Sequence, residues 1–184
     1  MARIPYTDPG EATGRTKELL DTVQAKLGAT PNMTKAMAGS AVLEGWLGLF
    51  GALGGGRIRP AVAERIALAV AESNECTYCL SVHSYVAEHA AKIDSADVEA
   101  ARLYASNDPK ADAALKFAQA VVRTRGAVPD DAFNAARTAG FEDAELAEIV
   151  GHVAINVLTN YFNNAFAIDV DFPVVEPHRY ALAA

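Results

Sequence analysis

The sequence predicts an all-α domain of about eight or nine helices, on three observations. Apolar residues recur at helical spacing along most of the chain, whereas polar–apolar alternation never persists beyond a few positions. Alanine, the strongest helix former, is abundant. Glycine and proline fall where such helices would stop or start. At 184 residues, 1–184 fits one domain with a core of its own.

Taken in order, "ATGRTKELLDTVQAKLG" sets Leu19, Leu20, Val23 and Leu27 on one face, with Thr13 or Thr16 as cap and Gly28 as stop. A short helix covers "PNMTKAMAG", and another runs from Ser40 through Trp46 and Phe50. "GGGRIRP" interrupts the pattern and leaves Pro60 in the first turn of the next helix. "AVAERIALAVAES" reads as largely buried, and the cysteine-bearing segment follows it. "DSADVEAARLYAS" carries a cap at Asp94 or Ser95. "DPKADAALKFAQAVVRTRG" and "PDDAFNAARTAG" are helices closed by glycine. The last helix begins near Glu142 and runs through "ELAEIVGHVAINVLTNYFNNAFAI". A proline-punctuated tail, about 169–184, should be extended.

Composition removes several function classes. A formal charge of −7 with dispersed Lys and Arg argues against nucleic-acid binding. No apolar run reaches membrane-span length, and "MARIPYTDPGEATG" has no apolar stretch to serve as a secretory signal. A cytoplasmic location without membrane partners is expected. Two cysteines exclude a disulfide-rich scaffold, and in a reducing compartment such a pair is more often redox-active than structural.

Both cysteines lie in "NECTYCLSVH". A Cys-x-x-Cys pair opening a helix sets its sulfurs about one turn apart, where backbone N–H groups and the helix dipole favour a thiolate. With Ser73 or Asn74 as cap, Cys76 falls in the first turn and Cys79 just beyond it. His83, four residues after Cys79, shares its face and can relay a proton. Glu64 would stand roughly 28 Å from His83 on an unbroken helix. It comes level if the chain folds back near Asn74, ten residues after Glu64 and nine before His83. The implied order is Glu64 supporting His83, His83 carrying the proton, Cys79 as nucleophile and Cys76 as resolving thiol.

Plainer readings compete. The cysteines could be apolar core residues. Cys76, Cys79 and His83 could also supply three zinc ligands, completed by Glu64 or His89, although no second Cys/His pair follows at zinc spacing. Glu64 could instead pair with Arg65, Arg57 or Arg59. His152, Asn156, Asn160 and Asn163 form a polar stripe on an apolar helix. It must meet either the pocket or loop backbone and subunit contacts, and the second is preferred. Trp46, Phe50, Tyr161, Phe162 and Phe166 read as core or interface packing, and His89 and His178 as exposed and unremarkable.

Glu64, eleven residues, Cys76-x-x-Cys79, three residues and His83 resemble the motif of the AhpD-like alkylhydroperoxidases of the carboxymuconolactone decarboxylase superfamily. "PAVAERIALAVA" and, more loosely, "HVAINVLTNYFNNAF" extend the resemblance over about 40–172. It implies an AhpD-like helical bundle, oligomeric as a trimer or hexamer, that reduces organic hydroperoxides. By that likeness Cys79 becomes a sulfenic acid and Cys76 condenses with it to a disulfide, with Glu64 and His83 as proton relay. No bound cofactor, flavin or metal is implied; an external dithiol, lipoyl-type or another thiol carrier, would reset the disulfide. Tyr78, with Asn156 and His152 a further candidate for lining the pocket, stands where the best-known members carry a second histidine. The same superfamily offers a rival, a cofactor-free decarboxylase of a small lactone acid, which does not need both thiols. A zinc-stabilised, non-enzymatic interaction domain is the rival from another class.

Overall fold

The computed structural model describes residues 1–178, and among them it contains nine α-helices and no strand. α1 (Gly14–Leu27) stops at Gly28, whose φ of 73° costs a glycine little and lets its N–H cap the Gln24 carbonyl. Thr13 holds the cap position without a side-chain bond. α2 (Asn32–Met37) leads into α3 (Ala41–Gly54), which Ser40 caps by accepting the Val42 N–H at 3.3 Å. Pro60 begins α4 (Pro60–Ser73) at its first position, where the missing N–H costs nothing.

α4 is the central helix. It is apolar nearly all round, with Ile66, Leu68, Val70 and Ala71 wholly buried. α5 (Thr77–His89), α6 (Ser95–Arg102), α7 (Pro109–Thr124) and α9 (Asp143–Phe166) all pack against it. α8 (Asp130–Thr138) lies on α7. Buried alanines at 67, 69 and 71 let these neighbours approach closely. No helix among the described residues is long and apolar enough to cross a membrane.

Arg65 on α4 pairs with Asp97 on α6, both buried, and Asp97 also accepts the Asn107 N–H at 2.9 Å. Burial alone would raise the Asp97 pKa, but the Asn107 N–H and the Arg65 guanidinium outweigh it and hold the carboxyl below its ordinary value. Because the folded pKa is depressed, this stabilisation is present above the unfolded-state value and is lost as pH falls through the folded one. Asp97→Ala leaves a buried guanidinium unpaired. It should destabilise the fold by about 3–5 kcal/mol, read from the urea midpoint at neutral pH.

The two ends of the described chain are tied to the helices. The Arg3 N–H donates to the Phe166 carbonyl at 2.8 Å, and Tyr6 Oη lies 3.0 Å from Asp169 Oδ2. The tail is extended as expected as far as residue 178, and its last residues lie outside the described ones. Its Val175 N–H donates to Ser81 Oγ at 2.9 Å, and Arg102 holds the Glu176 carbonyl at 2.8 Å. His178, which reads as unremarkable in sequence, is only partly exposed. Its backbone N–H donates to Glu72 and its Nε2 lies 3.1 Å from Glu99.

Candidate active site

The turn between α4 and α5 decides where both sulfurs sit. The Glu75 N–H donates to the Glu72 carbonyl and the Cys76 N–H to the Ala71 carbonyl, each at 3.0 Å. With Glu75 in the left-handed region at φ 50°, this is a Schellman ending, and only Asn74, Glu75 and Cys76 separate the helices. The sequence pattern favours Ser73 or Asn74 as the α5 cap. The structure corrects this: Ser73 closes α4, Asn74 is its C-cap, and Cys76 is the N-cap of α5. Ser and Asn are favoured there because a short side-chain oxygen can receive a free N–H, but here sulfur does so. Cys76 Sγ accepts the Cys79 N–H at 3.3 Å. Cys76 therefore precedes the first turn and Cys79 lies within it, at the positive end of the helix dipole.

The expected hairpin is present, and Glu64 Oε2 lies 2.8 Å from His83 Nδ1. The competing cations are engaged elsewhere: Arg57 with Glu142, Arg59 with Asp108, Arg65 with Asp97. Burial alone would lower the His83 pKa. The Glu64 charge and hydrogen bond, the Cys79 sulfur and Asn156 reverse this and raise it. His83 therefore holds a proton readily beside the sulfur.

The two thiols are driven apart. Burial opposes ionisation of Cys79, but hydrogen bonding from Cys76, the charge on His83 and the amides of Asn163 and Asn160 bring its pKa down to about 6. Cys76 moves the other way, chiefly because its thiol is hydrogen-bonded to the Cys79 sulfur, with burial adding to the effect. The surroundings thus favour the thiolate at Cys79 and the protonated form at Cys76.

The α9 polar stripe meets this site rather than loop backbone alone. Asn163 Nδ2 donates to Cys79 Sγ at 3.2 Å. Asn160 accepts from Asn74 at 2.9 Å, which ties α9 to the α4–α5 turn. Periodicity exposes the stripe but not its target, since the target lies on another helix. Asn163→Ala removes a donor to a charged sulfur, so the Cys79 pKa should rise by about one to two units. The pH dependence of Cys79 alkylation, followed by mass, measures that shift.

Cys79 opens into a cavity of about 320 Å³, whose lining includes Met33, Trp46, Phe50, Leu53, Ile58, Val82 and Ile155. Glu64, Tyr78, His83, His152 and Asn156 also line it, so the pocket candidates converge. Cys76, wholly buried, is not among the lining residues. Trp46 and Phe50, stacked at 4.9 Å, form a wall of the cavity, a role beyond the packing that their sequence positions suggest. Tyr78 lends its hydroxyl to the Met33 N–H at 3.2 Å, and burial pushes its pKa up, so it is no proton carrier. Among the described residues no group of three or more His, Cys, Asp and Glu could hold a metal ion.

Residues 40–120 match the carboxymuconolactone decarboxylase family, a segment that contains Glu64, Cys76, Cys79 and His83. No curated protein matches the chain. Among solved structures, an alkylhydroperoxidase AhpD core, a peroxidase-related protein from Ralstonia eutropha JMP134, is similar. Its TM-score is 0.81, with 23% identity over 92% of each chain. A peroxidase-related protein from Silicibacter sp. TM1040 has a TM-score of 0.77 and 24% identity, over 90% of this chain and 88% of that one. A cysteine-to-alanine variant of the debrominase Bmp8, in complex with 2,3,4-tribromopyrrole, has a TM-score of 0.75 and 21% identity over 91% of each chain. At these identities the structural likeness is one of fold. Residues 40–120 thus match the carboxymuconolactone decarboxylase family, and the fold around that segment is AhpD-like.

Proposed function

We propose that this protein is a thiol-dependent peroxidase that reduces organic hydroperoxides through a dithiol–disulfide cycle. The observation that carries the reading is the asymmetry of the sulfurs. Cys79 receives the Asn163 amide, is favoured as the thiolate and faces a largely apolar cavity, whereas Cys76 is favoured as the thiol and is buried behind it. The Cys79 thiolate attacks the terminal peroxide oxygen, the O–O bond breaks, and the departing alkoxide takes the His83 proton to leave as an alcohol. Cys79 is then a sulfenic acid. Cys76 sulfur attacks it, the S–O bond breaks, and the hydroxide leaves as water with the Cys76 proton, so the dithiol, now a disulfide, has passed two electrons to the peroxide oxygens. An external dithiol, of lipoyl type or another carrier, supplies two electrons to reduce the disulfide and is itself oxidised. In this reading it acts as a trimer or hexamer in the cytoplasm; Leu49, Val150, Leu158 and Tyr161, exposed on α3 and α9, support self-association.

A second reading uses the same dithiol for reductive dehalogenation of a small aromatic halide. The Trp46–Phe50 wall and the fold shared with the debrominase favour it. The decarboxylase rival is weaker, because among the described residues no Lys or Arg lines the cavity to receive a lactone acid's carboxylate. Mass mapping after one equivalent of alkyl hydroperoxide should find a Cys76–Cys79 bond and an alcohol product. Two free thiols after exposure would defeat the peroxidase reading.

A further inference from the structure

His152 has no part in the proton relay, yet it is only 8% exposed and its Nε2 is buried without a hydrogen-bond partner. A shielded polar nitrogen of this kind costs free energy unless something bound supplies the partner. His152 lines the cavity beside Ile155, Asn156 and Thr159 of the same helix, and Leu53 and Ile58 line it as well. From residue 152 to 159 the helix rises roughly 10 Å, and Asn156 between them serves His83. The cavity thus has a reactive side where Cys79, His83 and Glu64 lie and a further polar point at His152, in a lining that is otherwise mostly apolar.

We propose that His152 anchors the substrate. The preferred substrate then has a compact apolar or aromatic body with its reactive group at one end and a neutral hydrogen-bonding group, such as a hydroxyl, at the other. A neutral group is specified because burial lowers the His152 pKa, outweighing the nearby carboxylates Glu148 and Glu64. A neutral imidazole offers a carboxylate no countercharge, and those two acids repel it. Glu148 is itself occupied by the backbone N–H groups of Arg57 and Ile58. A hydroxyl can donate or accept, so it fits either tautomer of the ring.

The inference rests on the peroxidase reading for its reactive group but is tested apart from it. Trp46 is the sole tryptophan and lines the cavity, so its fluorescence reports occupancy without chemistry. The probes are 2-phenyl-2-propanol, its para-hydroxy analogue and its para-carboxy analogue. The para-hydroxy alcohol should bind about tenfold more tightly than the parent, and the para-carboxy alcohol more weakly. In His152→Leu the hydroxyl preference should collapse to within about twofold, and in His152→Gln, which keeps an amide donor and acceptor, part of it should return. Equal binding of parent and hydroxy probes, tighter binding of the carboxylate, or an undiminished preference in His152→Leu would each overturn the anchor. The matching hydroperoxides separate the two claims: a KM preference that follows the binding preference supports both. Binding preference without peroxide turnover overturns the peroxidase reading alone. Turnover with no preference overturns the anchor alone.

Discussion

Cys79→Ser is expected to remove peroxide turnover, by about a thousandfold or more, while Cys76→Ser should still consume one equivalent and then stop. The difference follows from where the sulfurs stand. Serine at 79 cannot ionise near neutrality, and among the described residues nothing else at the cavity wall is a comparable nucleophile. Serine at 76 leaves the Cys79 thiolate in place with Asn163 and His83 to stabilise it, but no thiol to displace hydroxide from the sulfenic acid. Stopped-flow peroxide consumption, with trapping of the sulfenic acid by a cyclic dione, reads both variants. A single-equivalent burst in Cys79→Ser with none in Cys76→Ser would reverse the roles.

Glu64→Gln should be the next most damaging change, at about a hundredfold in kcat/KM at pH 7. In the natural protein the rate should rise with pH through about 6, as Cys79 ionises, and level off above it. Glu64 raises the His83 pKa, so its carboxylate keeps a positive charge beside the sulfur. Without that charge His83 loses its proton more readily and the thiolate loses its countercharge. The inflection should therefore move upward and the thiolate fraction at pH 7 should fall. The pH profile separates this from a fold defect, because a merely destabilised variant keeps its inflection near 6. An inflection that stays in place would remove Glu64 from the relay.

Local spacing made much of the site legible. The period of the apolar residues yields the helices, and Pro60 marks the start of the central one. The Glu64–His83 pairing also follows from counting, since two helices that fold back near Asn74 must bring positions ten before and nine after it level. The α5 cap escaped because residue-type preference cannot tell whether Ser73 ends one helix or opens the next. That depends on Glu75 taking the left-handed turn. The stripe on α9 shows its periodicity but not its target.

By itself, then, the sequence determined the helical class, the dithiol and the acid that faces the imidazole, all properties of residues close along the chain. Only the tertiary structure brought Asn163 and Asn160 from α9, more than eighty residues away, to join Cys76 and His83 in favouring the Cys79 thiolate. It also decided that Trp46 and Phe50 wall a cavity and that His152 stands in it unpaired. Helical periodicity says which face of a helix is apolar or polar. What that face meets is set by packing between segments whose relative placement no local pattern records.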